Sequence, residues 1–284
     1  MEVILINLDR AIQRMSFQQK QLTQLGITFT RMSANGASHR VYYEKYRGEW
    51  ERPLSYAEVS CYLNHKTIWT LVAAGHEPVL ILEDDAYLAQ GSAEILNEIE
   101  KLENLDYLNI EARGNNQKKL VEKKPTFFIK NGELFELFQG RSGTAGYVLW
   151  PRGAKKLLTQ NQQGYVALAD KFINANYSLL AYQLEPAILI QLDRCEHYGI
   201  KAPINTTSSI SAGTKQRPTF IKYWVYKLRR LNGQFRIGTN YLMHFYHAHK
   251  RAIAISDNFK NLNRSCQINP RAANDTATPS PITK

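Results

Sequence analysis

Three consecutive carboxylates, Glu83, Asp84 and Asp85, follow directly on an apolar run at residues 78–82. Side chains alternate along an extended segment, so Glu83 and Asp85 project to one side and Asp84 to the other. Like charges this close raise one another's pKa values unless a cation offsets them. Mg²⁺ or Mn²⁺ does so with hard oxygen ligands from one or two carboxylates, leaving its other positions for water and phosphate oxygens. The Glu83–x–Asp85 pair is therefore the natural metal-holding unit, and a diphosphate the natural partner of its ion. Three other readings stay open. The acids could be solvated residues ending a strand. They could form an acidic pocket of the response-regulator kind, although that pair ends a first strand. Or they could serve a Mg²⁺-dependent phosphoesterase.

Two further groups could do chemistry. Glu58 and His65 stand seven residues apart in "YAEVSCYLNHKTIW", two helical turns, and share one helix face. Glu58 also completes an S-x-x-E capping box with Ser55, and His65 could be a satisfied structural histidine. In "HFYHAH", His247 and His249 could lend a metal ligand or simply be solvated.

The elements that must position these groups alternate. "VILINLD" reads as a strand, followed by a helix from Arg10 to Leu25 that Gly26 stops. A second extended stretch ends in a turn at Ala34 and Asn35. Residues 39–53 read as an ordered loop or lid, and the helix opened by Ser55 leads into the acidic strand. Beyond it come a helix from Ser92, the strand "LDYLNI", a Lys-rich loop at residues 118–124, and a hairpin at Asn131-Gly132. The strand "GTAGYVLW", a helix opened by Pro151, a helix over 168–184 and the strand "AILIQLD" follow. This alternation predicts an α/β fold with an open, mostly parallel sheet flanked by helices. Ligands in such sheets bind at the carboxyl ends of the strands. Asn7, Leu8, Asp9 and Arg10 then share an edge with Glu83 to Asp85, although Asp9 could equally be a helix N-cap.

With 284 residues, 44% of them apolar, the chain can bury a sizeable core. Three scattered cysteines suggest neither a disulfide framework nor a zinc site. The acidic, weakly apolar N-terminus does not read as a secretion signal, and no apolar stretch approaches a membrane span, so a cytoplasmic location is expected. The net charge of +11 is unevenly placed. Residues 1–210 hold 23 basic and 23 acidic side chains, whereas residues 211–284 hold 13 and 2. A neutral unit with a basic end suits an anionic membrane surface. Nucleic acid is not expected, because no matching motif accompanies the charge. Phe220, Trp224, Leu228 and Leu231 form a helical stripe that could lie on a membrane or dock on the body. The composition divides the chain into a body at 1–210, a basic amphipathic extension at 211–264 and a disordered tail at 265–284.

"VILINLDRAIQRM", "LSYAEVSCYLNHKTIW", "PVLILEDDAYL", "GTAGYVLWPRGAKKLL" and "LADKFI" occur in this order. Together they resemble glycosyltransferase family 25, the bacterial lipooligosaccharide galactosyltransferases and their collagen-modifying relatives. The resemblance implies a GT-A type, Rossmann-like nucleotide-sugar fold, a UDP-sugar donor such as UDP-galactose, and Mn²⁺ or Mg²⁺ on a D-x-D-type motif. It also implies inversion to a β-linkage on a lipid-linked oligosaccharide, at the cytoplasmic face of the bacterial inner membrane. On this reading Asp85 and Glu83 hold the metal and Asp84 supports them. Asn7, Leu8, Asp9, Arg10, Ala34, Asn35 and His65 line the donor pocket, and Thr144 in "SGTAG" contacts donor or acceptor. Asp170 is the expected general base, which could instead be an N-cap; Asp193 is its runner-up, Gln191 a substrate or metal contact, and Glu58 a further catalytic candidate. The alternative is a non-catalytic nucleotide-sugar or glycan-binding module that keeps the metal site.

Overall fold

The computed structural model describes residues 1–34, 40–114, 117–162, 167–204 and 220–259. Its first half runs β1 (Glu2–Asn7), α1 (Ile12–Gln24), β2 (Thr30–Ser33), α2 (Arg40–Tyr46), α3 (Tyr56–Ala74), β3 (Val79–Glu83), β4 (Ala86–Leu88), α4 (Ser92–Ile99) and β5 (Tyr107–Asn109). The second half runs β6 (Lys119–Glu122), β7 (Phe127–Ile129), β8 (Gly132–Gln139), β9 (Gly146–Leu149), α5 (Pro151–Gln162), α6 (Ala169–Asn174), β10 (Ala181–Glu185), β11 (Leu189–Gln191), α7 (Phe220–His244) and β12 (Ala248–Arg251).

Ten strands form one open sheet in the order β12-β6-β8-β10-β5-β9-β3-β1-β2, with β7 beside β8. β1 lies parallel to β2 and β3, and β5 parallel to β10; the other ladders are antiparallel. The α/β class and the flanked open sheet are as expected, with more antiparallel pairing than the alternation suggested. β4 and β11 pair separately as a short ribbon.

Strand parity sorts the core into two layers. Ile4, Ile6, Val79, Ile81 and Tyr147 face Val59 and Trp69 of α3, Leu157 of α5 and Phe172 of α6. Val3, Leu5, Leu80, Leu82 and Val148 face Leu22 of α1 and Ile95, Leu96 and Ile99 of α4. With both faces covered, these strands read as continuous apolar runs. The capping box forms: Glu58 N–H donates to Ser55 Oγ at 3.3 Å, and Ser55 N–H to Glu58 Oε2 at 2.8 Å.

Several local expectations change. Residues 39–53 contain the helix α2, and the Lys-rich stretch is the strand β6. The helix expected over 168–184 is the short α6 followed by the strand β10. The break comes at Asn176, whose Oδ1 accepts from Ser178 N–H and Oγ–H at 3.2 and 2.6 Å and closes a turn. β10 is buried at every residue, which erased the alternation that marks a strand. The hairpin turn is Lys130-Asn131, one residue early, with Asn131 at φ 65° and Ile129 opposite Gly132.

The basic helix α7 straps across the body. Arg229 donates to the carbonyls of Gly48 and Trp50 at 2.7 and 3.2 Å, and Asn240 to that of Phe138 at 3.0 Å. Tyr226 and Asn240 are buried in it. The sequence left open whether the stripe of Trp224, Leu228 and Leu231 docks on the body; these side chains are exposed, and the opposite face does the docking.

Candidate active site

The carboxyl edge of the parallel strands gathers the chemistry. Asp84, as its parity requires, turns toward α1: Asn7 Nδ2 and Arg14 each donate to its carboxylate at 2.8 Å, and Gln18 donates to its backbone carbonyl at 3.2 Å. It is a brace. Glu83 turns the other way, toward α3, where His65 Nε2 lies 3.1 Å from its Oε1. His65 Nδ1 is 2.9 Å from Tyr147 Oη, and Trp69 Nε1–H donates to that same oxygen at 2.9 Å. Because indole can only donate, the hydroxyl proton of Tyr147 points to His65 Nδ1, and His65 presents Nε2–H to Glu83. Trp69, Tyr147 and His65 are all buried, so the relay is dry.

Burial pushes the Glu83 carboxyl up. Hydrogen bonds from His65 and Thr144 and the charge of Arg113 outweigh this and hold it below the ordinary value. Asp85 has no such support. Burial raises it well above the ordinary range, the charges of Glu83, Asp84 and Glu111 add to the rise, and Arg14 opposes it. Its Oδ1 is buried without a hydrogen-bond partner.

Glu111 was missed in the sequence. It follows β5 just as Asp85 follows β3, so extending the strand-end argument past "LDYLNI" would have found it. It is fully buried, and burial pushes it up to about 7 against the charges of Arg113 and Lys119. Ala145 N–H donates to its Oε2 at 3.2 Å, while Oε1 has no hydrogen-bond partner and lies 3.6 Å from Arg113 Nε. Gly143, at φ 110°, lies against it: a Cβ there would come within 2.6 Å of Oε2. The "SGTAG" loop therefore clamps this acid as well as presenting Thr144 to Glu83.

Asp170 sits in the first turn of α6, whose N-cap is Leu168, so the N-cap alternative for Asp170 is overturned. Its Oδ2 is 3.7 Å from Arg113 and its side chain 23% exposed. The Cys61 thiol is raised well above its ordinary value by burial, and the charges of Glu83, Asp170, Asp85 and Glu58 add to the rise. Glu58 is occupied structurally, taking both arms of Arg52 at 3.0 and 2.6 Å besides its cap.

Other expected residues lie at the rim. Asp9 is exposed and accepts from Arg31 and Ser33 rather than capping α1, whose N-cap is Ala11. Leu8 packs partly on the core, Arg10 is exposed, and Ala34 N–H pairs with Asn7 C=O at 2.9 Å. Asn35 falls outside the described residues. Gln191 pairs opposite Ala86, and Leu192 N–H donates to the Asp85 carbonyl at 2.9 Å. Asp193, expected to end a strand, opens a 3-10 turn and lies 3.6 Å from Arg194. His247 pairs with His244 at 3.0 Å rather than with His249.

The donor set suits a hard divalent cation. Two buried carboxylate oxygens, on Asp85 and Glu111, lack hydrogen-bond partners, and added positive charge would relieve both. Cys61, His65 and Glu83 also bring ligand atoms within 4.8 Å of one another. There the thiol is held protonated and both imidazole nitrogens are engaged, so Glu83 with Asp85 is the better cradle.

The model of glycosyltransferase family 25 (LPS biosynthesis protein) matches residues 1–173, which include Glu83, Asp85, Glu111 and Asp170. The chain belongs to this family. A protein of Haemophilus influenzae named as a glycosyltransferase is 30% identical over 147 residues, 49% of this chain and 50% of that one. A glycosyltransferase 25 family member of Aedes aegypti is 30% identical over 129 residues, 43% of this chain and 20% of its own. Human procollagen galactosyltransferase 2 is 28% identical over 130 residues, 45% and 20% respectively. The matched stretches thus span half or less of these family relatives. Among solved structures, the glycosyltransferase GlyE of Streptococcus pneumoniae superposes with a TM-score of 0.35 at 10% identity, over 84% of this chain and 63% of that one.

Proposed function

We propose that the chain is an inverting glycosyltransferase that moves a hexose, galactose in the first instance, from a UDP-sugar to a terminal sugar of lipooligosaccharide or lipopolysaccharide. The observation that carries this is the partnerless, buried Asp85 Oδ1 beside Glu83, on the sheet edge where nucleotide ligands bind. Glu83 and Asp85 would hold Mn²⁺ or Mg²⁺, which when bound supplies positive charge for the departing diphosphate. Asp170 is the proposed base because its carboxylate is accessible, whereas Glu111 is sealed away. As the acceptor oxygen bonds to the anomeric carbon from the face opposite UDP, its proton passes to Asp170. The bond from that carbon to the diphosphate breaks, and its electron pair leaves with UDP. Arg113 stands between Glu111 and Asp170, 3.6 and 3.7 Å from their carboxylate oxygens, and holds the side chain of Asp170 in place.

Titration calorimetry with UDP-galactose, UDP-glucose and UDP, in Mn²⁺ and in EDTA, tests the donor side, and UDP release onto detergent-dispersed lipooligosaccharide tests transfer. Donor binding should require both metal and Asp85, and disappear in Asp85→Asn. Asp170→Asn should keep donor binding while turnover falls about 100-fold or more. Binding without turnover in the unaltered protein would make it a binding module, and absence of any nucleotide binding would refute the reading.

A further inference from the structure

Six apolar side chains of α7, Ile221, Trp224, Leu228, Leu231, Phe235 and Leu242, are between 48% and 78% exposed. Their spacing of three, four, three, four and seven residues sets them in one straight stripe on the helix. The stripe lies opposite the docked face, where Tyr226 and Asn240 are buried and Arg229 and Arg236 hold carbonyls of the body. Single exposed apolar residues are ordinary, but a contiguous row of this kind marks a contact surface.

Charge selects the partner. The 25 residues of α7 include no acid, and of its cations Arg229 and Arg236 are held on the docked face while Lys222, Lys227 and Arg230 are exposed. Lys227 sits 4.9 Å from the ring of Trp224, at the border of the stripe. A second copy packed stripe to stripe would bring two such helices together without one carboxylate to pair their cations. An acidic protein would satisfy the cations but leave the apolar row without a matching feature. A leaflet of anionic lipids offers both, phosphates for the Lys and Arg side chains and acyl chains for the Leu, Phe and Trp. No helix among the described residues is long and apolar enough to cross a membrane, so the contact is one that lies on the surface.

We infer that the outward face of α7 is a docking surface for anionic phospholipid, with the apolar stripe in the acyl boundary and the flanking cations at the phosphates. It stands on α7 alone, independently of the transfer chemistry. The test is sedimentation of the full chain with vesicles of phosphatidylglycerol and phosphatidylcholine, and with phosphatidylcholine alone. The expected result is binding to the anionic vesicles that weakens with salt and falls about 100-fold in Leu228→Glu/Leu231→Glu, whose circular dichroism stays unchanged. Lys227→Glu/Arg230→Glu, which spares the stripe, should lose binding at low salt and approach the unaltered protein's residual binding at high salt. Failure of the unaltered chain to bind anionic vesicles, or equal binding by the stripe variant, would overturn the inference. So would a concentration-dependent dimer that the stripe variant abolishes without any effect on vesicles, which would assign the stripe to a second copy.

Discussion

Tyr147→Phe removes one oxygen from the middle of the Trp69–Tyr147–His65–Glu83 relay. That oxygen accepts from Trp69 Nε1–H at 2.9 Å and lies 2.9 Å from His65 Nδ1. All three side chains are buried, so no solvent replaces the lost bonds. Burial also raises the Tyr147 hydroxyl well above its ordinary value, which keeps its proton in place for His65. The variant leaves two buried polar groups unpaired, each costing roughly 1–3 kcal/mol. The expected loss of stability is therefore about 2–6 kcal/mol, read as a lower urea midpoint with an unchanged slope. Function should suffer separately. With Nδ1 released, His65 can carry its proton there and turn a lone pair toward Glu83, which then loses the donor that holds it ionised. The measured nitrogen shifts of His65 should report Nε2–H in the unaltered protein and a tautomer mixture in the variant. A stability change below about 0.5 kcal/mol, or an Nδ1–H tautomer in the unaltered protein, would refute the relay.

Arg14→Ala should destabilise the fold by about 2 kcal/mol, since it strips one charged donor from buried Asp84 while Asn7 remains; chemical denaturation reads this directly. Gly153→Ala would set a Cβ 2.1 Å from the backbone oxygen of Asp106, so α5 must shift, and the expected result is a loss above about 3 kcal/mol or insoluble protein. The Glu111 carboxyl is raised from 4.5 to about 7, so its protonated form favours the fold: that contribution is complete below 4.5 and is lost as pH rises through 7. Unfolding of Glu111→Gln against the unaltered chain should therefore show the variant gaining relative stability between these pH values. Lys119, lowered from 10.5 to about 7, contributes in the opposite sense, present above 10.5 and lost as pH falls through 7; Lys119→Met should lack that dependence.

What could be read from residues alone followed how local the signal was. The acidic strand end, the alternation of Glu83 against Asp84, the capping box at Ser55 and Glu58 and the start of α5 at Pro151 are settled by neighbours in sequence. All of them hold. β10 and Glu111 were lost because their meaning depends on partners far along the chain: β10 is a strand only because β5 and β8 flank it, and Glu111 joins the candidate site only because the "SGTAG" loop closes over it. Asp9 and Asp170 each carried an N-cap alternative that the helix starts, at Ala11 and Leu168, exclude. The direction of the α7 stripe was undecidable from its period, since an amphipathic pattern fixes a face but not what the face meets.

Because Glu83 and Asp84 are adjacent, nothing in their chemistry decides which faces the candidate site and which becomes a brace. The phase of β3 decides it. Inserting a single residue between Val79 and Leu82 would leave composition and hydropathy nearly untouched, yet it would deliver Glu83 to Arg14 and Asn7 and set Leu82 opposite His65. The strand thus works as a counter as well as a support, and its length is a chemical specification. Changes of length should be tolerated in the turns around it long before one is tolerated within it.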